Sequence, residues 1–107
     1  MAQRKLPKII YKEVKDFIQI LKADALPISS VYVFGSYAKG NQHKDSDVDV
    51  CVVSPKFKNP SQALKYLWRM RPINLQRTIE PLGFSPKDMN DKYSTLIAEI
   101  KKYGIKV

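Results

Sequence analysis

Two aspartates one residue apart, Asp47 and Asp49, and a Gly35-Ser36 pair upstream of them are the residues of this chain whose types and spacing could do chemistry. Asp47 to Val53 reads Asp-Val-Asp-Val-Cys-Val-Val, the pattern of a strand. A strand has period two, so both carboxylates point to one face. Like charges side by side are unfavourable without a cation. Hard divalent ions take oxygen ligands, and Mg²⁺ is typically held by one or two carboxylates together with substrate phosphates. The pair therefore reads as a metal platform. The competing reading is two solvated aspartates on an exposed sheet face.

Gly35-Ser36 follows directly on Val31-Tyr32-Val33-Phe34, a β-branched and aromatic run that predicts a buried strand. Glycine lets a phosphate approach the backbone closely. The helical turn predicted over Tyr37 to Lys39 would present free N–H groups to an anion, and the Ser36 hydroxyl can add a hydrogen bond. A plain turn is what Gly-Ser alone would mean.

Together these elements read Phe34-Gly-Ser-Tyr-Ala-Lys-Gly40, then Asn41 to Asp45, then Ser46-Asp-Val-Asp-Val50, with ten residues between Ser36 and Asp47. In this stretch the sequence resembles the minimal nucleotidyltransferases of the polymerase-β-type nucleotidyltransferase superfamily. Their Gly-Ser-(ten)-Asp-x-Asp signature is matched without insertion or deletion. Ala38, Gly40 and Ser46 match its usual accompanying residues.

The resemblance implies a nucleoside triphosphate, ATP, held by Gly35 and Ser36 through its outer phosphates; Lys39, close by, is a further nucleotide-binding candidate, a solvated lysine being the competing reading. It implies two Mg²⁺ ions on Asp47 and Asp49, and a third carboxylate on a later strand. Glu80, in Thr78-Ile-Glu-Pro-Leu, is the best position for it, although aspartate is the commoner residue in that role. Asp47, Asp49 and Glu80 would then be both metal ligands and catalytic residues, Glu80 helping to deprotonate an attacking hydroxyl. Stand-alone members often pair with a HEPN-domain toxin and act as its antitoxin by moving AMP onto a tyrosine. Two other readings compete. One is a module that neutralises its partner by contact alone. The other is a basic nucleic-acid-binding domain.

The rest of the chain must position these residues. A first helix is predicted over Ile9 to Ala25, with Ile10, Val14, Phe17, Ile18 and Leu21 as its apolar stripe and Lys12, Glu13, Lys15, Asp16 and Lys22 on its other side. Pro27 closes it. A loop spans Ser54 to Pro60. A helix follows over Ser61 to Arg71, with Ser61 as cap and Ala63, Leu64, Leu67 and Trp68 or Met70 facing inward. Ile73 to Pro81 alternates as a third strand, and Leu82 to Pro86 turns. Asp91 to Tyr103 is a last helix, striped by Tyr93, Leu96, Ile97 and Ile100 and ended by Gly104. The expected fold is α/β (α+β), a small mixed sheet packed against helices in one nucleotidyltransferase-like domain over residues 1–107.

Composition narrows the function classes. With 107 residues, 44% hydrophobic and 27% charged, the chain suits one folded domain with one modest core. A deep cleft between two domains is not expected, so a large acceptor must bring its own surface. The lone Cys51 excludes an internal disulfide and a Cys-rich metal site, which favours a reducing, cytoplasmic setting; it reads as a covered core residue. No run approaches the ~20 apolar residues of a membrane span, and no apolar leader follows Arg4 and Lys5. The net charge of +9 attracts anions such as nucleotides, nucleic acid or an acidic protein. In the loop before the aspartates, His43 reads as a surface residue, Lys44 as a lysine that is solvated or touches phosphate, and Asp45 as a loop residue that shares the parity of Asp47 and Asp49. An exposed Trp68 would mark a protein interface.

Overall fold

The structure is a computed structural model that describes residues 5–42, 46–72 and 79–107. His43, Lys44, Asp45 and the Ile73–Thr78 part of the third predicted strand lie outside the described residues.

Helix α1 (Lys8–Ala23) lays Ile10, Val14, Phe17, Ile18 and Leu21 into the core, as the stripe predicts. Glu13, assigned to the polar side, is only 8% exposed, because the sheet is wide enough to cover more than one stripe of the helix. Strand β1 (Ser30–Phe34) leads through Gly35 into the single turn of α2 (Ser36–Lys39). Strand β2 (Val48–Val53) follows, one residue later than predicted, so Asp47 stands just outside it. Helix α3 (Pro60–Arg69), strand β3 (Ile79–Phe84), a 3₁₀ turn over Asp88–Asn90, helix α4 (Thr95–Tyr103) and the two-residue strand β4 (Ile105–Lys106) complete the order.

The sheet is mixed, in the order β3-β2-β1-β4. β1 runs antiparallel to both β2 and β4, and β2 runs parallel to β3. Val50 to Val53 of the central β2 are all buried, since both faces of the sheet are covered. On one face Val31, Val33, Val48, Val50, Val52 and Ile79 pack with α1 and with Ala63 and Leu67 of α3. On the other, Phe34, Cys51 and Val53 pack with Met89, Ile97 and Ile100. Cys51 is thus in the core, as expected.

Several expectations are corrected. The cap of α3 is Asn59, whose Oδ1 accepts from the Gln62 N–H at 2.8 Å. Pro60, with a preset φ and no N–H, fits the first helical position, so the helix starts before Ser61. Leu64 and Trp68 are 43% and 40% exposed; only Ala63 and Leu67 of the named α3 positions are fully buried, one residue per turn on a narrow contact stripe.

Leu82 to Phe84 are strand, not turn, in parallel register with Cys51 to Val53. Pro81 does not end the strand, because β3 is the sheet edge and a proline lacking an N–H is tolerated there. The outward carbonyls of this edge are taken by side chains. Trp68 Nε1 donates to the Pro81 carbonyl at 2.9 Å, and Arg71 Nη1 donates to that of Ile79 at 3.2 Å. The Arg71 guanidinium lies 3.8 Å over the Trp68 ring, a cation–π contact.

The last helix begins at Thr95, where Ser94 Oγ accepts from the Ile97 N–H at 3.1 Å, so the predicted start at Asp91 is four residues early. Tyr93 precedes that cap and is 93% exposed rather than part of the stripe. Gly104 does end the helix, its N–H donating to the Ile100 carbonyl, and it turns the chain into the unforeseen β4.

Two outcomes test this packing. A Cβ added at Gly83 would meet the Phe57 ring at 2.5 Å and the Ala63 methyl at 3.0 Å, so Gly83→Ala is expected to cost about 1–3 kcal/mol by urea unfolding. Burial pushes the Cys51 thiol up to about 12, so it stays protonated at pH 8. Thiol reagents should leave it untouched in the native protein and label it fully in denaturant; labelling of the native protein at the rate of a free thiol would contradict the packing.

Candidate active site

Strand register builds the site. Asp49 stands opposite Phe34 in the antiparallel β1–β2 pair and opposite Glu80 in the parallel β2–β3 pair. The end of β1, the start of β2 and the start of β3 therefore meet at one edge of the sheet. Gly35, Asp49 and Glu80 lie side by side there, with Asp47 just before β2. Asp47 and Asp49 keep the parity of Cys51 and Val53, which places them on the face that α4 covers further along.

Gly35 is required twice over. Its φ of 72° lies in the region that L side chains rarely adopt. A Cβ there would also run into the Asp49 carboxylate, colliding with Oδ2 and reaching Cγ at 3.1 Å. The turn and the aspartate are in van der Waals contact only because the residue is glycine. Beyond it, the Lys39 N–H is the first to close on Gly35 O, at 3.1 Å, so the N–H groups of Ser36, Tyr37 and Ala38 stand ahead of the helix's own ladder. Tyr37 and Ala38 are buried and anchor this short turn on the sheet.

The carboxylates crowd one another. The Glu80 carboxyl is held above the usual glutamate range, first by its hydrogen bond to Asp47, then by burial and by the charges of Asp47 and Asp49. Asp49 is also raised, first by burial and then by the charge of Asp47, against a hydrogen bond to Glu80 that lowers it. Like charges held this close favour whatever screens them, and a bound cation would do so. Among the described residues no group of three such side chains is placed to hold a metal ion; Glu80 is instead hydrogen-bonded to both aspartates. Three hard oxygen donors on adjacent strands are nonetheless the donor chemistry that suits Mg²⁺.

Lys39 sits at the end of α2, where its ammonium is bonded to Glu99 of α4 and lies 5.4 Å from the Tyr103 ring centroid. Glu99 raises Lys39 through that bond and also adds to the negative field on Asp49. Sequence reading did not single out Glu99. It is 60 residues from Lys39, and no local pattern links the two. Trp68 belongs to the β3 edge and not to this site.

The nucleotidyltransferase domain family model matches residues 14–106. MJ0141 of Methanocaldococcus jannaschii, named as a candidate protein adenylyltransferase, is 30% identical over 109 aligned residues, covering 92% of this chain and 95% of its own. The protein adenylyltransferase MntA of Shewanella oneidensis is 38% identical over 37 residues, which span 35% of this chain and 27% of MntA. A crystal structure of a toxin–antitoxin with AMP-PNP has a similar fold at a TM-score of 0.51 and 21% identity, over 86% of this chain and 69% of that one. With the family model spanning both the Gly35 turn and the three carboxylates, this chain belongs to the nucleotidyltransferase domain family.

Proposed function

We propose that this nucleotidyltransferase moves AMP from ATP to a hydroxyl of a protein partner, a tyrosine of a HEPN-type toxin, and so acts as its antitoxin. The observation that carries the reading is the contact of the Gly35 turn with Asp49, itself in register with Glu80. The backbone turn that would take a phosphate and the carboxylate cluster meet with no side chain of residue 35 between them. The named relatives, protein adenylyltransferases in two organisms, supply the donor and the acceptor class.

In this reading the N–H groups after Gly35 and the Ser36 hydroxyl hold the outer phosphates. Asp47, Asp49 and Glu80 would hold two Mg²⁺ ions, which neutralise the triphosphate and stabilise the attacking and leaving oxygens. The acceptor hydroxyl attacks the α-phosphorus. Its O–P bond forms as the bond to the β-phosphate oxygen breaks, and pyrophosphate leaves. The hydroxyl proton passes to a carboxylate, Glu80 being the one turned toward both aspartates. The protein supplies mainly position and charge. The acceptor arrives on the partner's own surface, which suits a site at an open sheet edge.

With Mg²⁺, ATP labelled at the α-phosphate and the toxin partner, label and one AMP of added mass are expected on the partner. Asp47→Ala/Asp49→Ala should abolish both, as should chelation of the metal. Glu80→Gln should slow labelling by roughly 10²-fold or more. If the partner were silenced equally by wild type and the double variant, with no label on either, the protein would be a contact antitoxin on a nucleotidyltransferase fold.

A further inference from the structure

Helix α2 is one turn long and cannot hold its own geometry. Its buried Tyr37 and Ala38 fix its inner side. On its outer side Lys39 donates to Glu99 Oε1, with the ammonium also over Tyr103. Both partners come from α4, which the second core holds against the sheet through Ile97 and Ile100. Lysine is a point charge on a flexible stem, so an anchored carboxylate fixes where that charge sits.

Glu99 would otherwise be a poor choice there. It adds a second negative charge, after that of Asp47, to the field that raises Asp49. Lys39 offsets that charge. The pair is half exposed, so its contribution to stability alone is small. The pair stands on the single turn that Gly35 opens, with the Lys39 N–H on the Gly35 carbonyl at 3.1 Å, and Glu99 is near enough to bear on the charge of Asp49.

We propose that Glu99 is a positioning residue for nucleotide binding, holding the Lys39 ammonium beside the Gly35-Ser36 turn where it meets the outer phosphates of ATP. The inference rests on the nucleotide-binding reading of that turn. It is tested by calorimetric titration of Mg-ATP and of AMP into wild type, Glu99→Gln, Lys39→Gln and the double variant, with melting followed in parallel.

Glu99→Gln is expected to weaken ATP by roughly three- to tenfold, leave AMP affinity unchanged, and add nothing once Lys39 is Gln. A purely structural role would move the melting point and both ligands together. Unchanged ATP affinity in Glu99→Gln, or additive losses in the double variant, would overturn the proposal while leaving the site intact. Wild type that binds no Mg-ATP would sink the nucleotide reading itself, and the proposal with it.

Discussion

The pairing of β2 with β3 is the interaction on which the site depends. Parallel register sets Asp49 against Glu80, and the antiparallel partner on the other side sets Asp49 against Phe34, next to Gly35. Nothing in cross-strand energetics favours two carboxylates as neighbours. The register is imposed from further along the strands, where Val50, Cys51, Val52 and Val53 are buried between two layers. A slip of one residue would send every one of those side chains to the opposite face. Apolar burial therefore holds the acids together against their repulsion.

That arrangement explains why the site sits where it does. The apolar cores end with the strands, so the carboxylates occupy the last positions before solvent. Asp49 and Glu80 are partly covered, enough to raise both, while Asp47 is exposed. The two layers also divide the labour. The α1–α3 layer gives the sheet its stability through large apolar side chains. The α4 layer reaches the site itself, through Glu99.

Much of this was legible in the residues. The β-branched runs, the stripe of α1 and the parity of Asp47 and Asp49 are local patterns, and local patterns survive folding. The juxtaposition of Glu80 with Asp49 could be suspected only through the family resemblance, because strand neighbours are not written in periodicity. The misread segments share a cause. Pro81 normally ends a strand, but at a sheet edge its missing N–H faces away from the ladder. Asn59 and Ser94 set the helix starts by side-chain hydrogen bonds to backbone N–H groups, which apolar periodicity does not encode. β4 has two residues and no pattern to read. Glu99 shows itself only once α4 is laid beside α2.

The capped edge of β3 has a further consequence for how the molecule keeps company. Bare strand edges recruit other strands, and small sheets are prone to run together through them. Here Trp68 and Arg71 already occupy the Pro81 and Ile79 carbonyls, and Pro81 has no donor to offer an incoming chain. A visiting polypeptide finds two acceptors taken and one donor missing at that border. Whatever binds beside the carboxylates is met by side chains and by its own shape, and a crowded population of this protein is guarded against zipping into aggregates from the side nearest its chemistry.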